Sequence, residues 1–129
     1  MLFTKCILHL PSDDDGLRIS VMSRLTLNDG KTPDGRIQAY HMHIPELGPS
    51  PKLIGRYYRE EIDWDLFQQE YLKEITTLKK RALVRFVASQ AMKINVTIMC
   101  VEETPEFCHR RLLAEECQKH QPSLCVEHR

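Results

Sequence analysis

An excess of charge of either sign is missing from this chain: eighteen lysines and arginines balance eighteen aspartates and glutamates. The global electrostatic pull of a nucleic-acid binder is therefore absent, and any basic contact has to be a local patch. No window approaches the ~20 apolar residues of a membrane-spanning helix. The N-terminus lacks the charged n-region, long apolar h-region and cleavage site of a secretory signal. Closely paired cysteines are missing too. Five cysteines, an odd number without tight spacing, point to reduced thiols in the cytoplasm rather than a disulfide framework. There is no internal repeat and no low-complexity tract. What remains is 42% hydrophobic content spread over 129 residues. That length suits one domain, residues 1–129, able to bury roughly two thirds of its unfolded surface.

The most informative stretch runs from Asn95 to Arg111. Val96 to Val101 is a short β-branched and apolar run, the pattern of a sheet-core strand. Val96, Ile98, Cys100 and Glu102 share one face, and Thr97, Met99 and Val101 the other. Thr104 as an N-cap and Pro105 at the first helical position predict a helix from about Pro105 to about Lys119. Glu106 then sits near the positive end of its dipole. A strand end that turns into a helix N-terminus is where open α/β sheets bind ligands. On a helical projection of about 100° per residue, Arg111, Glu115, Gln118 and Lys119 face water, whereas Phe107, Leu113, Ala114 and Cys117 face the sheet. Arg110 falls inside the apolar arc, His109 on its flank and Cys108 on the polar arc. An inward arginine needs a partner: Glu102, another carboxylate or a bound anion.

Elsewhere, Leu2 to Leu8 and Leu17 to Ser23 have the pattern of strands, separated by Ser12-Asp13-Asp14-Asp15-Gly16. Three consecutive carboxylates cannot all point at one ion, so the aspartates make a solvated turn. Leu25 to Gly48 is irregular, with a short extended piece at Gln38 to His43, and a loop this long in a compact domain is often functional. His41 and His43 share a face if extended but lack a third metal ligand. Ser50-Pro51 starts a helix that carries Leu53, Ile54, Tyr57 and Tyr58 among Lys52, Arg56 and Arg59. The tyrosines are first half-buried anchors, and second a platform for a nucleotide. Asp63 caps another helix with a core stripe of Trp64, Phe67, Tyr71, Ile75 and Leu78. Lys79-Lys80-Arg81 is a solvated surface, and Leu83, Phe86, Val87 and Gln90 continue the helical spacing. Ser123 to Glu127 forms a last strand, where Cys125-x-x-His128 is too sparse for zinc. No cofactor and no metal site is expected. The order strand, strand, long loop, helices, strand, helix, strand predicts a small three-layer α/β domain with a mostly parallel four-stranded sheet flanked by helices.

Four groups of residues carry a resemblance: Arg18 through Arg24-Leu25; Leu47-Gly48-Pro49-Ser50 with Leu53; Trp64-x-x-Phe67-x-x-x-Tyr71-x-x-Glu74; and Cys100-x-Glu102-x-x-Pro105-x-x-Cys108-His109-Arg110. Together they resemble the YeaO-like family, domain of unknown function number 488. The resemblance implies a single cytoplasmic α/β domain whose hallmark residues gather at one cleft, and it implies no particular reaction. The chain departs from the family pattern in three places. Ser23-Arg24 stands where the family usually has Asp-Arg. Thr26-Leu27-Asn28-Asp29-Gly30 replaces a tryptophan-proline and an arginine-glycine, and Ile54 stands where arginine often follows the leucine.

Two functional classes follow. In the first, a small anion or nucleotide lies between Arg24, Arg110 and the helix N-terminus, beside Ser23. Glu102 or His109 handles protons, and Cys100 or Cys108 supplies a thiol that neighbouring cations bias toward thiolate. The dipole alone contributes roughly 0.3–1 kcal/mol. Adjacent helix positions point about 100° apart, which disfavours His109 as the base for Cys108. The alternative is a non-catalytic binding or regulatory module on nucleic acid, using Lys52, Arg56, Arg59 and Lys79 to Arg81, with affinity that falls steeply with salt. A packing role competes with both: Arg110 pins the helix through Glu102, and the cysteines, Cys6, Cys117 and Cys125 above all, are small core residues. A Cys100–Cys108 redox pair requires Cα atoms within about 7 Å.

Overall fold

A computed structural model describes residues 1–27 and 29–129. Five strands form one sheet: β1 (Leu2–Cys6), β2 (Leu17–Ser20), β3 (Met42–His43), β4 (Val96–Cys100) and β5 (Val126–His128). A 3-10 turn, Pro45–Leu47, leads into α1 (Pro51–Tyr58), α2 (Trp64–Ile75) and α3 (Leu78–Lys93), while α4 (His109–His120) joins β4 to β5. The strand order is β3-β2-β4-β1-β5 and every pairing is parallel. The sheet thus has five strands rather than four, because Met42–His43 pairs with the edge of β2.

Strand order explains the layers. The β1-to-β2 and β2-to-β3 connections run toward the β3 edge, and the two helical connections run toward the β5 edge. Crossovers of one hand therefore put the two sets on opposite faces. On the helical face, Leu2, Ile19, Val21, Val96 and Ile98 pack with Leu53, Phe67, Val84, Val87, Leu112 and Leu113. On the other face the long loops form the third layer. Lys5 and Arg18 reach the buried Asp15 carboxylate, Thr97 donates to the Asp15 carbonyl, and Arg18 donates to the Ala39 carbonyl. Arg129 completes that ion cluster at 3.2 Å from Asp15.

β4 lies between β1 and β2, whose connections leave on the face opposite to its own. Adjacent strands whose chains depart to opposite sides open a crevice at their carboxyl ends. The sheet reversal places that crevice at the ends of β2 and β4.

Local capping signals account for two of the four α-helix starts among the described residues. Ser50 Oγ accepts the Leu53 N–H, with Pro51 at the first helical position, and Asp63 caps α2 through the Leu66 N–H. The same device fails at Thr104-Pro105. Helix α4 begins at His109, and Pro105 instead accepts the Cys108 N–H in a turn. Cys108 is the N-cap with extended backbone, so it is buried rather than on the polar arc, and Phe107 is 53% exposed rather than turned to the sheet. Leu78 belongs to the start of α3 and is 87% exposed, since α2 ends at Ile75 and breaks the stripe. Cys6 and Cys117 are buried, but Cys125 is exposed.

Candidate functional site

A cleft of about 760 Å³ opens at the carboxyl ends of β2 and β4. Among the residues marked out from the sequence, Ser23, Arg24, Cys100, Glu102, Cys108 and His109 line it. Arg110 does not. It is fully buried beneath them, as its place in the apolar arc requires.

The segment after β2 supplies one wall. β2 stops at Ser20, so Ser23 and Arg24 are loop residues rather than the end of a strand. Ser23 Oγ donates to the Pro49 carbonyl. Gly48 makes that approach feasible, because a Cβ there would sit 2.8 Å from both Ser23 N and Val21 O. The Leu47-to-Ser50 turn is held from α2: the Tyr71 hydroxyl donates to the Leu47 carbonyl at 2.6 Å, and Glu74 accepts both the N–H and the O–H of Ser50. The spaced Tyr71 and Glu74 of the third motif thus position the second.

Arg24 lies beside Asp29 and Tyr58, and among the described residues it makes no ion pair. Arg36 is held bidentately by Asp34 and Arg59 by Glu61. The hydrogen bonds from Arg36 keep the Asp34 carboxyl down at about 2. Asn28, part of one departure from the family pattern, lies outside the described residues.

Aromatic rings make the opposite wall. Tyr57, Trp64 and Phe67 form a cluster with centroids 4.8–6.0 Å apart, and Phe107 meets Trp64 edge-on at 5.5 Å. Tyr71 continues the chain to the edge of His109 at 5.4 Å. Sequence periodicity assigned Trp64 and Phe67 to the core alone. Phe67 is buried and still borders the cleft, and the exposed Phe107 joins because it precedes the helix. Arg59, the residue that ends α1, reaches the cleft lining; Lys52 and Arg56 on α1 and Lys79 to Arg81 on α3 do not.

The floor is built around Arg110. Its guanidinium donates to the carbonyls of Glu102 and Glu103, and to Cys100 Sγ at 3.3 Å and Cys108 Sγ at 3.6 Å. The bond to Glu102 goes to the backbone oxygen; its carboxylate instead accepts the Tyr58 hydroxyl at 3.3 Å. Among the described residues Arg110 makes no ion pair with a carboxylate, its Nε has no partner, and burial pulls the guanidinium down from its ordinary value. A buried cation without an anion is costly, and negative charge on either sulfur relieves that cost. The two sulfurs are in direct contact, each residue 1% exposed, with Cα atoms 7.8 Å apart. That exceeds the distance the redox-pair reading requires.

His109 sits between floor and strand. Its Nε2 lies 2.8 Å from the Val21 carbonyl, to which it donates as Nε2–H, leaving Nδ1 as the unprotonated nitrogen. Burial, with a smaller push from Arg110, depresses the ring to about 4, so it is neutral at pH 7. Cys100, Cys108 and His109 each offer a donor atom, all within 4.8 Å of one another. His41 and His43 are occupied elsewhere: His41 Nδ1 accepts the Arg18 N–H, and His43 Nδ1 meets Ser20 Oγ.

A family model described as DUF488-N3a, the active DUF488-N3 subclade, matches residues 2–121. The chain belongs to the DUF488 family. The match runs from the first residue of β1 to just past the end of α4 and includes every residue of the cleft. No curated protein and no solved structure matches this DUF488 chain. Among its described residues no helix is long and apolar enough to cross a membrane.

Proposed function

We propose that the cleft at the ends of β2 and β4 is the active site of an enzyme that takes a nucleotide-class anion. The observation that carries this reading is the pairing, in one cleft, of Arg24, unpaired among the described residues, with an aromatic wall above a floor of thiols. An aromatic base stacks on such a wall, and its phosphate finds a charge-assisted donor in Arg24. The family description, which names an active subclade, supports catalysis over mere binding.

The floor divides the chemical roles. A neutral His109 whose N–H is committed to Val21 is a poor proton carrier near pH 7. Proton transfer therefore falls to Glu102, whose carboxylate reaches the cleft beside Tyr58. The reaction depends on Cys100 and Cys108, which Arg110 holds on the floor.

Calorimetric titration with adenosine mono-, di- and triphosphates, against inorganic phosphate alone, tests the reading. Wild type binds a nucleotide more tightly than phosphate. Arg24→Ala weakens it by about 10- to 150-fold, the equivalent of one charged hydrogen bond of ~1.5–3 kcal/mol. Absence of binding at millimolar nucleotide, or equal affinity in Arg24→Ala, refutes it.

A further inference from the structure

Resting on the proposed cleft, we infer that Cys100, Cys108 and His109 form a three-ligand site for a borderline-soft divalent cation of the zinc type, with its fourth position open toward the ligand. Nothing in the sequence spacing announces it, because the ligands come from a strand end and a helix cap separated by a loop. The fold brings one donor atom from each within 4.8 Å of the others, a spread that suits sulfur and nitrogen sharing one tetrahedral ion.

Three features of the surroundings fit a metal better than a cross-link or a free nucleophile. First, a relaxed disulfide spans about 4.4–6.8 Å between Cα atoms. The backbones at Cys100 and Cys108 are 7.8 Å apart, beyond that span, and the sulfurs have only to part from contact to about 3.8 Å to share one tetrahedral ion at about 2.3 Å each. Second, His109 has the arrangement expected of a metal-binding histidine: one ring nitrogen donates to a backbone carbonyl, which fixes the ring and leaves the other as a lone pair. Third, each cysteine is 1% exposed, which suits a ligand held under the cleft better than a nucleophile that must strike a substrate.

Charge closes the argument. On binding, each thiol releases its proton to solvent, and two thiolates cancel the charge of a divalent ion. The Arg110 guanidinium is then not repelled, and its N–H groups, already 3.3 and 3.6 Å from the sulfurs, become donors to metal-bound thiolates. Three protein ligands and an open position are the arrangement of catalytic rather than structural zinc. The cation would polarise an oxygen of the ligand or activate a water in the cleft that Glu102 also lines.

Cobalt(II) titration of the reduced, chelator-stripped full chain tests this, with Cys125→Ser as the background to remove the exposed thiol. The expected result is saturation at one equivalent, with thiolate-to-cobalt charge transfer in the near ultraviolet and the visible bands of tetrahedral coordination. Cys100→Ser and Cys108→Ser abolish the charge transfer, and His109→Gln weakens binding by more than the about 10- to 100-fold that loss of a supporting group costs. Should a serine variant fail to fold, mass mapping of alkylation on the otherwise intact chain decides instead: one equivalent of cobalt protects Cys100 and Cys108 together. Folded protein that gives no charge transfer in excess cobalt, or a spectrum that survives Cys100→Ser and Cys108→Ser, overturns the metal. Nucleotide titration of the same metal-free preparation separates the two readings. Nucleotide binding by protein that gives no cobalt charge transfer leaves the cleft standing and removes the metal; cobalt charge transfer in protein that binds no nucleotide, with or without the metal, removes the cleft assignment.

Discussion

Gly48→Ala is the sharpest available test of how the cleft wall is held. Gly48 has φ −83° and ψ 167°, a conformation open to any residue, so alanine brings no dihedral penalty. Its methyl group, however, would lie 2.8 Å from Ser23 N, 2.8 Å from Val21 O and 3.1 Å from the Met22 carbonyl carbon. Favourable contacts begin at about 3.5 Å, so backbone must move by several tenths of an ångström. Val21 resists the push, since its N–H is bonded to Met99 and its carbonyl accepts His109. The displacement therefore goes into Met22 to Arg24. Overpacking of this kind costs about 1–3 kcal/mol, measurable as a lower urea midpoint at unchanged slope. Shifting Arg24 should also weaken nucleotide binding roughly tenfold, about 1.4 kcal/mol. Gly35→Ala is the control: nothing lies within 4 Å of its Cβ position, and the expected change is within about 0.5 kcal/mol. Wild-type stability and affinity in Gly48→Ala would refute the idea that this contact sets the wall.

Tyr71→Phe keeps the ring against His109 but strands the buried Leu47 carbonyl, so it should lose about 1–3 kcal/mol in urea titration; a loss below about 0.5 kcal/mol would show that water takes over the bond. Asp15→Asn removes the shared anion from Lys5, Arg18 and Arg129, and about 3–5 kcal/mol of stability should go with it; equal thermal stability would mean that the cluster contributes nothing net. Burial, with Glu116 adding to it, pushes the Cys117 thiol from 9.0 up to about 12. A raised value in the fold favours the protonated thiol, so this contribution is intact below pH 9 and is lost as pH rises toward 12. At pH 10 the loss is about 1.4 kcal/mol, and the stability gap between wild type and Cys117→Ala should narrow by that amount from pH 8 to pH 10; a constant gap rules the thiol out.

The fold class was legible because its signals are local and repeated. Val96–Cys100 shows the apolar run of a buried strand, Ser50 and Asp63 announce their helices, and three helices between strands imply parallel pairing. The two-residue strand β3 was visible only as an extended piece, since two residues carry too little periodicity to mark a strand. The cleft's outer walls were harder. Asp34 and Arg36 arrive from a loop whose course depends on the hand of the crossovers, and the loop's length was the one cue to its importance. Trp64 and Phe67 have the spacing of a core stripe, and spacing does not say that the core ends at a cavity.

Arg110 shows where that limit lies. Helical phase alone turned it inward, and the phase survives even though α4 starts four residues later than its cap and proline suggest. Its partner was another matter. From composition, a buried arginine calls for a carboxylate, and Glu102 was the nearest candidate. The fold instead satisfies the guanidinium with the Glu102 and Glu103 carbonyls and two sulfurs. Carbonyls belong to every residue and leave no mark in a sequence. The same bonds draw the Val101-to-Cys108 loop inward and override the Thr104-Pro105 start signal, which is why Cys108 ends beside Cys100 and not on the water-facing arc. They also leave the Glu102 side chain free to reach Tyr58 at the cleft. One substitution of backbone for side chain thus accounts for the displaced helix, the convergent sulfurs and the available carboxylate together.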